Sequence, residues 1–429
     1  MTTHELTEYQ TVRVPWPDPS AADQQLAESL EGKSRLLRIR WLRNEQAEIT
    51  AFARVGVVTF DQCQVAVRPK MAGGDLSALR MLDYASGIHA LRQLPPQRRI
   101  ETGGLHLRDL VCQMLARAAD DILRQGPTRS YLTRERSLPM LRGRILADRQ
   151  VRARFGQLDQ LECRYDEYET DILDNQVLAA GLNLAARSAA AASVRALARR
   201  VAADFSALCD PAGLDPIDVA ARLHYTRQNE HYRAAHGWSL LLLRGAAISD
   251  LYRAGNGQSR VFFFDMNRVF EDFVTRLVEH AFEGSAVEVR PQSRHRSVIV
   301  DELTGRPFGT VIPDLLLVRG AGATMWRRVV DAKYKLIGER SLDRADVYQT
   351  LLYAQALGAT GATQQPPTAV IIHPGTPGSP HRLVARNTEG IRVARLRTVA
   401  LDVSATLDAL ADRQHRDRLH AEVRDLLTA

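Results

Sequence analysis

The sequence predicts a multidomain α+β protein: a β-rich N-terminal domain over residues 1–72, a mainly helical middle region over 73–256, and a C-terminal α/β domain with a mixed sheet over 257–429. Three observations predict it. The chain has 429 residues, more than one ordinary domain holds. Its apolar period shifts from two to three or four near residue 73, then becomes mixed after the glycine-bearing linker Arg253–Gly257. Its composition, 45% hydrophobic and 25% charged, is that of a globular chain and excludes a mostly disordered or disulfide-stapled protein.

The N-terminal domain is read from short alternating runs at 36–41, 49–55 and 56–67, punctuated by Asn44 and Gly56. In the middle region, apolar residues at helical spacing predict helices over 75–93, 105–125, 174–206 and 228–253, with Asp174 as the cap of the third. Between them lies an arginine-rich, less regular stretch, Thr128 to Tyr168, containing Leu138 to Ile145. After the linker the order is a helix at 265–283, strands at 286–290, 296–301, 309–318 and 326–333, a helix at 343–358 and a strand at 368–373. A charged helix over 401–427 closes the chain.

The apolar runs exclude a membrane span: Ser239 to Leu243 is too short, and the alanine-rich 177–205 stretch carries arginines. Four well-separated cysteines with no CxxC pair and no secretory signal point to the cytoplasm, without a zinc knuckle. The formal net charge of +7 is compatible with a polyanionic partner but does not require one. Lysine is scarce: only Lys33, Lys70, Lys333 and Lys335 occur, and arginine supplies the other cations. Under such a bias a lysine persists where a compact ammonium is needed rather than a broad guanidinium fork. Two of the four fall in Asp331-Ala332-Lys333-Tyr334-Lys335.

That segment carries the chemistry. Asp314 precedes the apolar run Leu315 to Val318, and Asp331 follows Val329-Val330. If the turn between the two strands is centred between Gly322 and Ala323, antiparallel pairing sets Asp314 opposite Asp331. Strand alternation then projects Lys333 on the face of Asp331. Two carboxylates suit a hard cation such as Mg²⁺ (or Mn²⁺), and the lysine can orient an attacking water and offset charge on a phosphate. Gln349 and Tyr353, four apart, share one side of the following helix, and Glu271 on the preceding helix is a third acid for the metal. A bare Asp…Asp-x-Lys pattern is also what an edge hairpin with solvated acids looks like. The apolar strands and the flanking helices argue for the site.

The ordered set resembles the PD-(D/E)xK nucleases, and the whole chain resembles the McrC family, the nuclease subunit of McrBC modification-dependent restriction systems. The stretches that carry the likeness are Leu138 to Ile145, Cys163 to Glu167 with Asp174-Asn175, Asn229 to Arg233, Phe264 to Glu271, Ile312-Pro313-Asp314, Asp331 to Lys335 and Asp346 to Tyr353. The resemblance implies a restriction-endonuclease-like C-terminal domain and Mg²⁺-dependent cleavage of duplex DNA bearing a modification. It also implies a hexameric McrB-like AAA+ GTPase as partner, which the chain stimulates through its N-terminal part while the region after Gly257 cuts. Catalytic roles would fall to Asp314, Asp331, Lys333, Gln349 and Tyr353, metal binding to Asp314, Asp331 and Glu271, and DNA or partner contacts to Lys335, Arg268, Arg142 and Arg144. For those last arginines, salt bridges to local acids such as Asp166 and Asp272 are the plainer reading.

The chain has no nucleotide site of its own: Gly32-Lys33-Ser34 lacks the first P-loop glycine, since Ala27 stands there. His224, His231 and His236 have no companion cysteines and are read as surface or interhelical histidines. Asp166 and Glu167 point opposite ways on a strand, and Trp238 and Phe262 to Phe264 read as core. Two other functions compete: a non-catalytic adaptor that activates a GTPase, and a stand-alone RecB-like DNA-repair exonuclease. The intact Asp314, Asp331, Lys333 and Gln349 speak against the first, and the unexplained N-terminal 255 residues against the second.

Overall fold

The computed structural model describes residues 2–32, 35–71, 73–86, 106–157, 159–211, 214, 216–250, 261–320, 325–335, 343–358, 366–378 and 381–429. They fall into two compact units. One joins Met1–Leu107 to Phe263–Ala429, and the other is Arg108–Phe262. The three consecutive domains expected from the sequence are therefore not how the contacts divide: the first 107 residues and the last 167 fold as one body.

The N-terminal part of the first unit contains β1 (Thr2–Thr7), β2 (Thr11–Pro15), α1 (Ala21–Glu31), β3 (Leu37–Leu42), β4 (Gln46–Ala51), β5 (Arg54–Thr59), β6 (Cys63–Arg68) and α2 (Gly74–Ala85). The run expected over 56–67 is broken into β5 and β6 by a tight reversal, in which Phe60 N donates to the Cys63 carbonyl at 2.8 Å. Ser20 caps α1 by accepting from Asp23 N. Before Gly32 stands a helix and after it a strand, the reverse of a P-loop; Lys33 and Ser34 lie outside the described residues.

The second unit contains α3 (Leu107–Gln125), β7 (Ser130–Leu138), β8 (Arg144–Ile145), α4 (Ala147–Arg154), β9 (Leu161–Glu169), α5 (Leu173–Ser188), α6 (Ala192–Ser206), α7 (Pro216–Arg222) and α8 (Arg233–Asp250). The helix expected over 174–206 is two helices. Asp109, buried in α3, accepts from Ala190 N at 2.7 Å and Ala191 N at 3.2 Å, satisfying the break and the start of α6. Asp174 is not the cap of α5: Ile172 holds that position, and Asp174 Oδ1 instead accepts from Asn229 Nδ2 at 2.8 Å. The irregular stretch folds as the sheet β7-β9-β8, closed at Gly143 (φ 68°), where a Cβ would come within 2.4 Å of the Arg164 carbonyl oxygen. His236 is core, bonded to the Tyr225 hydroxyl and the Asp174 carbonyl, and Trp238 is fully buried.

The chain then forms β10 (Val261–Asp265), α9 (Met266–Phe282), β11 (Val287–Pro291), β12 (His295–Val300), β13 (Pro307–Val311), β14 (Leu315–Arg319), β15 (Trp326–Ala332), α10 (Arg344–Gly358), β16 (Thr368–Pro374), β17 (Arg382–Arg386), β18 (Arg392–Leu401), α11 (Val403–Ala411) and α12 (Arg413–Thr428). The strand expected over 309–318 is two strands, interrupted at Ile312–Asp314, and the closing helix breaks at Asp412, whose side chain caps α12 through His415 N. A six-stranded mixed sheet runs β11-β14-β15-β16-β18-β17, with β15, β16 and β18 parallel. Ala354 and Leu357 of α10 pack on Leu316, Val329 and Ile371. The N-terminal strands join through the sheet β1-β6-β5-β10 and the ion pair Arg54–Asp265 at 3.1 Å. Among the described residues, no helix is long and apolar enough to cross a membrane, and all four cysteines are buried and unpaired.

Candidate active site

The site stands at the end of the β14–β15 pair. Its register couples Leu315 with Val330 and Leu316 with Val329, so the next position sets Asp314 against Asp331, the register that the sequence arithmetic requires. Residues 321–324 of the turn lie outside the described residues. The break after β13 matters here, because Pro313 cannot donate to a ladder and frees Asp314 to turn its carboxylate across the strand. Asp314 Oδ2 accepts from Ala332 N at 2.8 Å, locking the carboxylate over the DAKYK segment.

Asp331 is only 2% exposed. The Lys333 ammonium stands 2.9 Å from its Oδ2, yet that oxygen accepts no well-aligned hydrogen bond. Burial pushes the Asp314 pKa up to about 8, reinforced by the charge of Asp331 and, more weakly, Glu271; the Ala332 N–H and the Lys333 charge oppose the rise. Burial also opposes the charge of Lys333, but Asp331, then Asp314 and Asp346, outweigh it and hold its pKa above the ordinary lysine value. Two facing carboxyls that repel each other, Asp331 buried and Asp314 half-buried, fit a hard cation, since oxygen donors are what Mg²⁺ or Mn²⁺ takes.

Glu271 is linked to Asp314 through Gln292, and its charge reaches the Asp314 carboxyl. Gln292 Nε2 donates to Glu271 Oε1 at 2.6 Å, and Gln292 N donates to the Asp314 carbonyl at 2.9 Å, so this glutamine stands between the helix acid and the pair. No cluster of three or more His, Cys, Asp or Glu side chains able to hold a metal occurs among the described residues. Gln292 is a site residue that pattern reading missed, because a lone glutamine after a strand carries no periodic signal.

Gln349 and Tyr353 do share a side of α10, where Gln349 Nε2 donates to the Tyr353 hydroxyl at 2.9 Å; both are tied to each other rather than to the carboxylates. Lys335 is committed to ion pairs with Asp346 and, at 3.3 Å, Asp343. Asp346 thereby acts on both lysines, a role that the sequence did not reveal. Arg142 lies 4.1 Å over the Tyr165 ring and bonds Glu167 rather than Asp166. Arg268 is 82% exposed, 4.0 Å from Asp272, and Arg144 is exposed on β8.

A family model described as McrBC 5-methylcytosine restriction system component matches residues 49–368. No curated protein matches the chain. Among solved structures, a chain from half of a tetradecameric assembly of Thermococcus gammatolerans McrB AAA+ hexamers with bound McrC aligns at a TM-score of 0.61 and 20% identity, covering 99% of this chain and 100% of that one. This is a likeness of fold. A chain of the Thermococcus gammatolerans McrBC complex aligns at 0.44 and 22% identity, over 66% of this chain and 88% of that one.

Proposed function

The chain belongs to the McrBC 5-methylcytosine restriction system component family, and on that premise we propose that it is the DNA-cleaving subunit of such a system. The observation that carries this reading is the convergence of Asp314, Asp331 and Lys333 at one strand end, with Asp331 buried and the Lys333 ammonium 2.9 Å from it. In this reading the arrangement is a PD-(D/E)xK site, in which Asp314 and Asp331 hold Mg²⁺ or Mn²⁺. When bound, the cation supplies a Lewis acid at the scissile phosphate. Lys333 keeps its proton beside Asp331, orients the attacking water and offsets charge on the phosphate. Glu271, through Gln292, and Asp346, through Lys335, hold the surroundings of the pair in register.

The substrate in this reading is duplex DNA carrying 5-methylcytosine, and the partner is an McrB-like AAA+ GTPase hexamer. The second unit supports a protein partner: Phe155 is 84%, Met140 72% and Tyr131 70% exposed, with Arg142 and Arg144 near them in sequence. Solitary exposed apolar residues are ordinary, but several on one small sheet and its flanking helix and turns suit an interface. Of the two regions expected to dock, residues 1–72 and the middle region, this favours the middle region, at its β7-β9-β8 sheet. Reconstitution with an McrB-like GTPase, GTP, Mg²⁺ and methylated DNA tests the reading. Cleavage supports it, whereas stimulated GTP hydrolysis without cleavage would favour the adaptor.

A further inference from the structure

Past Ala332 the strand pairing that fixes the catalytic segment ends: Ala332–Ile372 is the last β15–β16 pair. Lys333 N still donates to the Ile372 carbonyl at 2.9 Å, and Lys335 N turns back onto the Lys333 carbonyl at 2.8 Å. Tyr334, between the two lysines, is turned into the protein. Its ring packs against Phe270, centroids 5.9 Å apart, and it is only 6% exposed. Its hydroxyl donates at 2.8 Å to Glu8 Oε2, 326 residues away along the chain.

Glu8 is itself fixed. It follows β1, is 2% exposed, accepts from Lys70 N at 3.0 Å on the same Oε2, and donates its own N–H to the Arg68 carbonyl at 3.2 Å. Its other oxygen, Oε1, is buried and has no hydrogen-bond partner among the described residues. An apolar side chain of similar size would fill this place without that desolvation cost, but it could not anchor the tyrosine hydroxyl.

We propose that Glu8 and Tyr334 are a positioning pair, through which the β1–β6 sheet holds Lys333 and Lys335 in their working directions. The inference rests on the hydrolytic reading above and deepens it: the N-terminal strands are part of the cleavage centre. Burial pushes Glu8 up to about 7, against the pull of the Lys70 N–H and the Tyr334 hydroxyl. Burial, then the charge of Glu8, raises Tyr334 well above the ordinary phenol value, so the hydroxyl keeps its proton and remains the donor. Without the bond, the backbone at 334 is free to shift, and both flanking ammonium groups shift with it.

Four lysines make the test direct, since selective lysine labelling of the full-length chain gives at most four side-chain ammonium signals. Lys333→Arg and Lys335→Arg assign two of them. Tyr334→Phe, which removes one oxygen, and Glu8→Leu are expected to move the Lys333 and Lys335 signals. They should lower the DNA-cleavage kcat by about 10- to 100-fold, as loss of an outer partner commonly does, with KM for DNA unchanged. Glu8→Gln keeps an acceptor for the hydroxyl and should recover most of the loss. Unchanged Lys333 and Lys335 signals in folded Tyr334→Phe, or a Glu8→Gln as impaired as Glu8→Leu, would overturn the pair. Equal cutting by wild type and Asp331→Ala would instead sink the hydrolytic reading, while the lysine spectrum still decides the positioning.

Discussion

Asp314 reaches across the strand pair to accept the Ala332 N–H at 2.8 Å, so the carboxylate opposite Asp331 is anchored by the residue that separates Asp331 from Lys333. Its position is thus set by the same segment whose chemistry it serves.

This anchoring separates binding from stability. Asp314→Asn keeps an oxygen for the Ala332 N–H but removes a carboxyl that burial and Asp331 strain. The cation-free variant should be more stable by about 1–3 kcal/mol in thermal melts near neutral pH, while Mn²⁺ binding by calorimetry is lost. A destabilised variant that still binds Mn²⁺ would contradict the assignment.

The pH dependence follows from the same shift. An acid raised from 3.8 to about 8 on folding binds its proton more tightly in the folded chain. Its contribution to cation-free stability is therefore fully present at low pH and is lost as pH rises towards about 8. Cation binding displaces that proton, so apparent Mn²⁺ affinity should climb over the same window and level off above it. Titrations at several pH values check this, and a pH-independent affinity between about 6 and 8 would count against it.

The second unit has its own weak point in Asp109. Asp109→Ala leaves the Ala190 and Ala191 N–H groups without their buried acceptor and should destabilise by about 1–3 kcal/mol in urea unfolding. Mn²⁺ binding should be unaffected, because Asp314 and Asp331 belong to the other unit.

A chain beginning near Gly257 was the natural minimal nuclease on sequence grounds. It lacks Glu8 under Tyr334, the Ala53 carbonyl that accepts Met266 N at 3.3 Å, Arg54 at Asp265, and Arg80 at Asp408. Such a fragment should show no cooperative melt and no cleavage. Co-expression with residues 1–107 should restore both, and a cooperative melt of the fragment alone would contradict this dependence.

The pairing of Asp314 with Asp331 was legible because its information is local. Leu315 to Val318 and Val329-Val330 mark two buried strands, and turn symmetry alone places Asp314 beside Asp331. The lengths of α9 and α10 were legible for the same reason, since their apolar spacing is continuous. What was not legible depends on distant residues. The alanine-rich run from 174 to 206 keeps helical period throughout, and only Asp109, far upstream, reveals where it breaks. Gln292, which links Glu271 to the Asp314 carbonyl, carries no signal of residue type or period. Strand β18 does carry a strand period, buried Ala394, Leu396 and Thr398 alternating with Arg395 and Arg397, but two of its three buried residues are small or polar, which weakens the apolar signal. The union of the first and last segments rests on contacts such as Glu8–Tyr334, which leave no periodic trace.

The measurement that bears most directly on the central claim is cleavage of methylated duplex DNA by the full chain with an McrB-like GTPase, GTP and Mg²⁺, comparing wild type with Asp331→Ala and Lys333→Ala. Wild type should cut, both variants should lose cleavage by at least about 100-fold, and both should still stimulate GTP hydrolysis. Cleavage by Asp331→Ala at the wild-type rate would contradict that claim.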